Sequence, residues 1–244
     1  MRYLVISDLH GNLEALDATL ASAEPTDAIL VLGDLIGYGA DPNAVVERVR
    51  TLPDCTAIRG NHDKVGVGID DVKAFNHLAR RAIEWTAAEL TSDNRDWVAA
   101  LPQGPLTVDA LVQICHGAPF DEDVYIFDDR DAGRAMWAVT SQVCLFGHTH
   151  VPAVFAYDTE LRVMGPPRGP RFELQIEDGQ TYLVNCGAVG QPRDGDPRAA
   201  HGILDTVTRT LTVTRVTYDL ARAQAKILAA GLPEVLAQRL AAGR

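Results

Sequence analysis

Five times in this chain a short apolar run stops at aspartate, asparagine or histidine, with glycine beside them. The runs are RYLVISDLHG (2–11), AILVLGD (28–34), CTAIRGNHD (55–63), LVQICHG (111–117) and QVCLFGHTH (142–150). An apolar run without alternation reads as a strand buried on both faces. Helical patterns separate the first three. Residues 12–23 place Leu13, Leu16 and Leu20 on one face, and PNAVVERVR (42–50) has Pro42 near its first turn. Strand–helix–strand at this spacing predicts parallel pairing with right-handed crossovers. Sheets of that kind collect their sites at the C-terminal strand ends. All five polar clusters fall there.

Residues 76–90 and 93–100 are predicted as helices, the first facing the core with Leu78, Ala82, Trp85 and Leu90. A further helix is expected around 131–139. From residue 151 the texture changes. AVFAY, LRVM, TYLVN, GILDTV and TLTVTRV predict short strands of an antiparallel sheet. MGPPRGP (164–170) predicts a loop, because prolines remove ladder donors. Residues 219–241 predict one or two Ala/Leu helices, broken at Gly231–Pro233. No repeat and no linker divides the chain, so 1–244 is expected as one domain with a C-terminal helical segment from about 219.

With 47% hydrophobic and 23% charged residues, the chain can bury a sizeable core. No apolar run reaches the roughly 18 residues of a membrane span, and the N-terminus lacks the pattern of a signal peptide. Cys55, Cys115, Cys144 and Cys186 sit in or beside apolar strands, with no C-x-x-C pair. They are expected as reduced core thiols of a cytoplasmic protein. A formal net charge of −11 argues against an extended nucleic-acid or anionic-membrane footprint. A small phosphate substrate remains compatible with that charge where metal ions cancel the local field.

Each polar cluster has an ordinary structural reading when taken alone: a turn, a helix cap, a satisfied core histidine. Together they are harder to explain that way. Of seven histidines, five lie in these segments: His10, His62, His116, His148 and His150. Carboxylates, imidazoles and one amide oxygen form a mixed O/N donor set. That set suits manganese, iron or zinc better than magnesium or calcium. A carboxylate can bridge two such ions about 3.5–4 Å apart.

The five blocks, D-L-H (8–10), G-D (33–34), G-N-H-D (60–63), H-G (116–117) and G-H-T-H (147–150), resemble in order and spacing the motifs of the calcineurin-like metallophosphoesterases. GDLIGYGADP (33–42) and VGQPRDGDPR (189–198) are also similar to a bacterial branch of phosphoesterases and diadenosine tetraphosphatase relatives. The resemblance implies an α/β (α+β) fold, a four-layer α-β-β-α sandwich of two mixed sheets flanked by helices. It implies two divalent metal ions per chain. Asp8, His10 and His150 would hold the first, Asn61, His116 and His148 the second, and Asp34 would bridge them. His62 would face the scissile phosphate, with Asp63 behind it to fix its orientation and raise its pKa.

The implied activity is hydrolysis of a small phosphate ester or nucleotide. A water activated by the two cations attacks phosphorus, and His62 protonates the leaving oxygen. Tyr38 and the flexible VGVGID (65–70) are expected to wall the cleft, and Arg193 to clamp a distal phosphate. Two alternatives are a catalytically silent metal-binding scaffold for protein partners and a protein Ser/Thr phosphatase. Intact His62 and a full ligand set speak against the first. The lack of a peptide-docking segment speaks against the second. Phosphomonoesters, cyclic nucleotides, other phosphodiesters and dinucleoside polyphosphates all stay open.

Overall fold

The computed structural model of the chain describes residues 1–164 and 169–244. Its first half runs β1 (Arg2–Ile6), α1 (Leu13–Ser22), β2 (Ala28–Val31), α2 (Pro42–Arg50), β3 (Cys55–Ala57), α3 (Asn61–Gly66), α4 (His77–Glu89), α5 (Ser92–Ala99), β4 (Leu106–Thr107) and β5 (Val112–Ile114). The second half runs α6 (Asp129–Met136), β6 (Val143–Phe146), β7 (Ala153–Tyr157), β8 (Leu161–Val163), β9 (Arg171–Gln175), β10 (Thr181–Asn185), β11 (Ala199–Asp205), β12 (Thr210–Val216), α7 (Leu220–Ala229) and α8 (Glu234–Ala242).

Two mixed six-stranded sheets result, in the orders β3-β2-β1-β11-β12-β9 and β4-β5-β6-β10-β7-β8. The period-2 alternation of side chains explains the continuous apolar runs. Tyr3 and Val5 of β1 enter the core between the sheets, where they meet Val143, Leu145, Tyr182 and Val184 of the second sheet. Leu4 and Ile6 of the same strand point outward into a core with Leu16 of α1 and Val45 and Val49 of α2. On the far side, Cys144, Phe146 and Leu183 pack on Ala132 and Ala135 of α6. The layers are therefore helix, sheet, sheet, helix, as the resemblance implies.

Several sequence expectations need correction. The strands after residue 151 do not make a sheet of their own. β9, β11 and β12 extend the first sheet, while β7, β8 and β10 extend the second, where β10 pairs parallel to β6. Each parallel nucleus has an edge to cover, and alternating strands fit either one. β9 (RFELQ) and the two-residue β4 lie outside the predicted strands. α4 turns Ala79, Ala82, Ile83 and Thr86 to the core, with Leu78 and Trp85 only partly buried. Of the proposed 164–170 loop, residues 165–168 lie outside the described residues. The four cysteines are free thiols, and three of them are buried. Among the described residues, no helix is long and apolar enough to cross a membrane.

Candidate metal centre

The parallel strands β1, β2, β5 and β6 deliver their C-terminal ends to one edge of the sandwich, and the chain leaves each in a sharp turn. Asp8, His10, Asp34, His148 and His150 all sit in the left-handed backbone region, with φ between 46° and 66°. A non-glycine residue held there costs on the order of 1–3 kcal/mol. Such strain persists only where the surroundings fix it, and here it falls on five of the seven expected ligands.

Asp8, His10, Asp34 and His150 each offer one ligand atom, all within 4.8 Å of one another; so do Asp34, His116 and His148. Asp34 belongs to both groups. His10 Nε2 lies 3.1 Å from His150 Nε2, which is 3.3 Å from Asp8 Oδ1. His116 Nε2 is 3.2 Å from Asn61 Oδ1. Between these sets stands Asp34 Oδ2, 3.6 Å from His10 Nε2 and 3.3 Å from His116 Nε2. Asp34 Oδ1 accepts from the His62 backbone N–H at 2.8 Å, while the buried Oδ2 makes no well-aligned hydrogen bond and has the His116 ring as its nearest countercharge, at 3.3 Å. A buried carboxylate of this kind needs a cation beside it, either the His116 imidazolium or a metal ion in its place.

The imidazoles are oriented for the same purpose. Nδ1 of His10, His116 and His150 faces the carbonyls of Ile36, Leu32 and Gln191 at 3.1, 2.8 and 2.7 Å. Donation from Nδ1 leaves the Nε2 lone pair for a metal. His148 is reversed: its Nε2 faces the Asp123 carbonyl at 3.2 Å, leaving Nδ1. Burial pushes His10 down to about 4 and His148 to about 3, and holds His150 well below its usual range. These three are therefore neutral at pH 7, the form in which an imidazole can bind a metal. His116 differs. Burial opposes its charge most strongly, yet the Asp34 carboxylate, Asp8 and the Leu32 carbonyl together raise it to about 10. A metal ion would take over the countercharge and displace that proton. The donor set fits divalent transition metals.

Residues 1–209 match the calcineurin-like phosphoesterase superfamily domain. The chain belongs to that superfamily. It is accordingly a metal-dependent hydrolase of phosphoric esters. A metallophosphoesterase from Sphaerobacter thermophilus superposes over 100% of both chains with TM-score 0.90 and 39% identity. An uncharacterized protein of Methanocaldococcus jannaschii is 33% identical over 249 residues, covering 98% of this chain and 97% of that protein. A hypothetical protein from Pyrococcus horikoshii shares the fold at TM-score 0.79 and 19% identity, over 100% of this chain and 98% of that one.

Two glycines show how tightly this phosphoesterase closes its centre. A Cβ at Gly147 would stand 2.0 Å from Ser7 Oγ, and one at Gly60 would stand 2.2 Å from Asp34 Oδ1. Gly60→Ala is therefore expected to push the Asp34 carboxylate out of place. Overpacking of this kind costs about 1–3 kcal/mol. Thermal unfolding together with metal analysis of Gly60→Ala checks it: both the melting temperature and the bound metal should fall.

The other expected site residues lie close by, in roles that partly differ. His62 and Tyr38 line a cleft beside Asn61 and His148. His62 Nδ1 is buried without a partner, against Gly37. Asp63 does not hold the His62 ring. Its carboxylate accepts from Leu35 N at 2.9 Å, Ile36 N at 3.2 Å and Gly60 N at 2.9 Å. It thus ties together the two turns that carry Asp34 and Asn61. Nor is the His62 pKa raised: burial sets it well below the usual value, against the pull of Asp34.

The segment 65–70 does not wall the cleft. Val65 and Gly66 complete α3, and Val65 packs in the core. Arg193 is half-buried, its guanidinium 5.5 Å above the Tyr38 ring, and its Nε–H has no acceptor. One device escaped the sequence reading. Lys64, 7% exposed, pairs with Asp123 at 2.5 Å and Glu122 at 3.4 Å. It pins the loop whose Asp123 carbonyl orients His148. The only signal was a lysine directly after G-N-H-D, and its partner lies 59 residues away.

Proposed function

We propose that this phosphoesterase is a single-domain binuclear enzyme acting on small phosphate esters, nucleotides among them. The observation that carries the reading is Asp34 Oδ2, without a well-aligned hydrogen bond and set between two imidazole groups. Asp8, His10 and His150 would hold one ion, Asn61, His116 and His148 the other, and Asp34 both. Manganese, iron or zinc ions bound there supply positive charge that neutralises the substrate phosphate and brings a water pKa toward 7.

The chain's own groups do the rest. Backbone carbonyls fix the imidazole tautomers, and Asp63 fixes the turns. His62 lies in the cleft wall, where a bound phosphate anion raises its proton affinity. Its proton then goes to the leaving oxygen. Arg193 brings a free N–H and a positive charge that acts on Asp8, His10, His62, His148 and His150. It clamps a phosphate oxygen beyond the one under attack.

The test is reconstitution. Chelator-treated protein should be inactive, and manganese, iron or zinc should restore hydrolysis of phosphomonoesters or phosphodiesters. Restoration by none of them contradicts the reading. Arg193→Ala should raise KM roughly 10- to 100-fold, the size of a charged hydrogen bond to phosphate. An unchanged KM for every ester hydrolysed removes Arg193 from substrate binding.

A further inference from the structure

Aromatic residues make up only 6% of the chain. Yet Tyr38, Phe75 and Tyr125 all line a cleft of about 190 Å³ beside His62 and His148. Each ring backs onto a histidine of the site. Tyr38 and Phe75 lie 4.5 and 4.6 Å from the His62 ring. Tyr125 stacks on His148 at 3.7 Å with an interplanar angle of 21°. Phe127 in turn stacks on Tyr125 at 5.0 Å and 9°. This last pair is open to solvent, Tyr125 at 39% and Phe127 at 63%.

Exposed flat rings beside a charged centre have no use in holding a phosphate, which needs cations and N–H donors. They suit a planar group carried by the ester. The polar groups in the same cleft narrow the choice. The Asn76 side-chain oxygen is taken by Leu78 N and Ala79 N as a helix cap, which leaves its amide N–H donors. The Asp123 carboxylate, 50% exposed, is held by Lys64. A carboxylate repels phosphate and an alkyl chain gains nothing from it, but it accepts from an amino or imino edge. A stacking face with one donor and one acceptor at its rim matches a nucleobase.

Building on the proposed binuclear reading, we infer that this cleft is a subsite for the nucleobase of a nucleoside phosphate ester. The base packs on the Phe75 ring against the exposed edge of Tyr125, whose faces are held by His148 and Phe127, and its polar edge meets Asp123 and Asn76. The nucleoside is then the group whose oxygen leaves, because the cleft adjoins His62. Hydrolysis by water breaks the P–O bond and returns the nucleoside as an alcohol, with its proton from His62.

The test compares two ligands that differ only in the base: adenosine 5′-phosphate and ribose 5-phosphate. Calorimetry on manganese-loaded protein should find the first bound on the order of 10- to 100-fold more tightly, the size that base–aromatic stacking gives. Their kcat/KM values should differ in the same direction. Tyr125→Leu and Phe75→Leu should each shrink the affinity ratio toward one. Metal content is measured for both, and if Tyr125→Leu disturbs the ion beside His148, Phe75→Leu decides. Equal affinities in a protein that still binds two metals and hydrolyses other esters overturn the subsite and leave the metal centre standing. Octyl phosphate binding better than adenosine 5′-phosphate shows an alkyl site and overturns it too. A protein that binds neither phosphate overturns the subsite together with the proposed function.

Discussion

Asp34→Asn should fold and yet lose both metal and activity. Asparagine keeps the oxygen that accepts from His62 N at 2.8 Å, so the turn survives. It replaces Oδ2 with an amide nitrogen that cannot bridge cations. His116 loses the carboxylate that sets its charge. The ions supply several kcal/mol of transition-state stabilisation, so kcat should drop on the order of 10³-fold. Metal analysis should give fewer than two ions per chain, with a circular dichroism spectrum like that of the parent. A variant with both ions and full activity would show that Asp34 is not shared.

His62→Ala separates acid catalysis from metal binding. The His62 side chain meets Tyr38, Phe75, Gly37 and, edge-on at 4.9 Å, the His10 ring, and it hydrogen-bonds Asp34 through its backbone N–H. Both ions should stay. Loss of a general acid costs about 10²–10⁴-fold in rate. The deficit should be largest for esters of alkyl alcohols and smaller for nitrophenyl esters, whose leaving oxygen needs little protonation. Measuring kcat on both, beside metal content, is sufficient. Loss of an ion would make His62 a ligand, and full activity on the alkyl ester would remove it from the reaction.

The contrast between Asp34 and Asp63 shows what sequence could and could not convey. The strands that carry the expected ligands were legible because burial on both faces makes RYLVI and VCLF continuous apolar runs, closed by residues no core would choose. That brought out the family, the four-layer fold and an enzyme rather than a silent scaffold. The partition of β7–β12 between two sheets was not legible, since period-2 alternation says that a strand is half-buried but not against which sheet. β9 alternates exposed Arg171, Glu173 and Gln175 with Phe172 and Leu174, but five residues directly after a Pro/Gly-rich stretch are too short a pattern to stand out. Asp63 stands next to His62 in sequence, but helix α3 turns its carboxylate toward the backbone of two other turns. Lys64, Asp123, Phe75 and Tyr125 lie on three segments without periodicity, so only the folded chain brings them to His62 and His148.

The binuclear assignment rests on two groups sharing one carboxylate oxygen, and anomalous diffraction from crystals grown with manganese tests that most directly. Two peaks should flank Asp34 Oδ2, one among Asp8, His10 and His150, the other among Asn61, His116 and His148. A single peak, or peaks at Cys55 or Cys186, would contradict it.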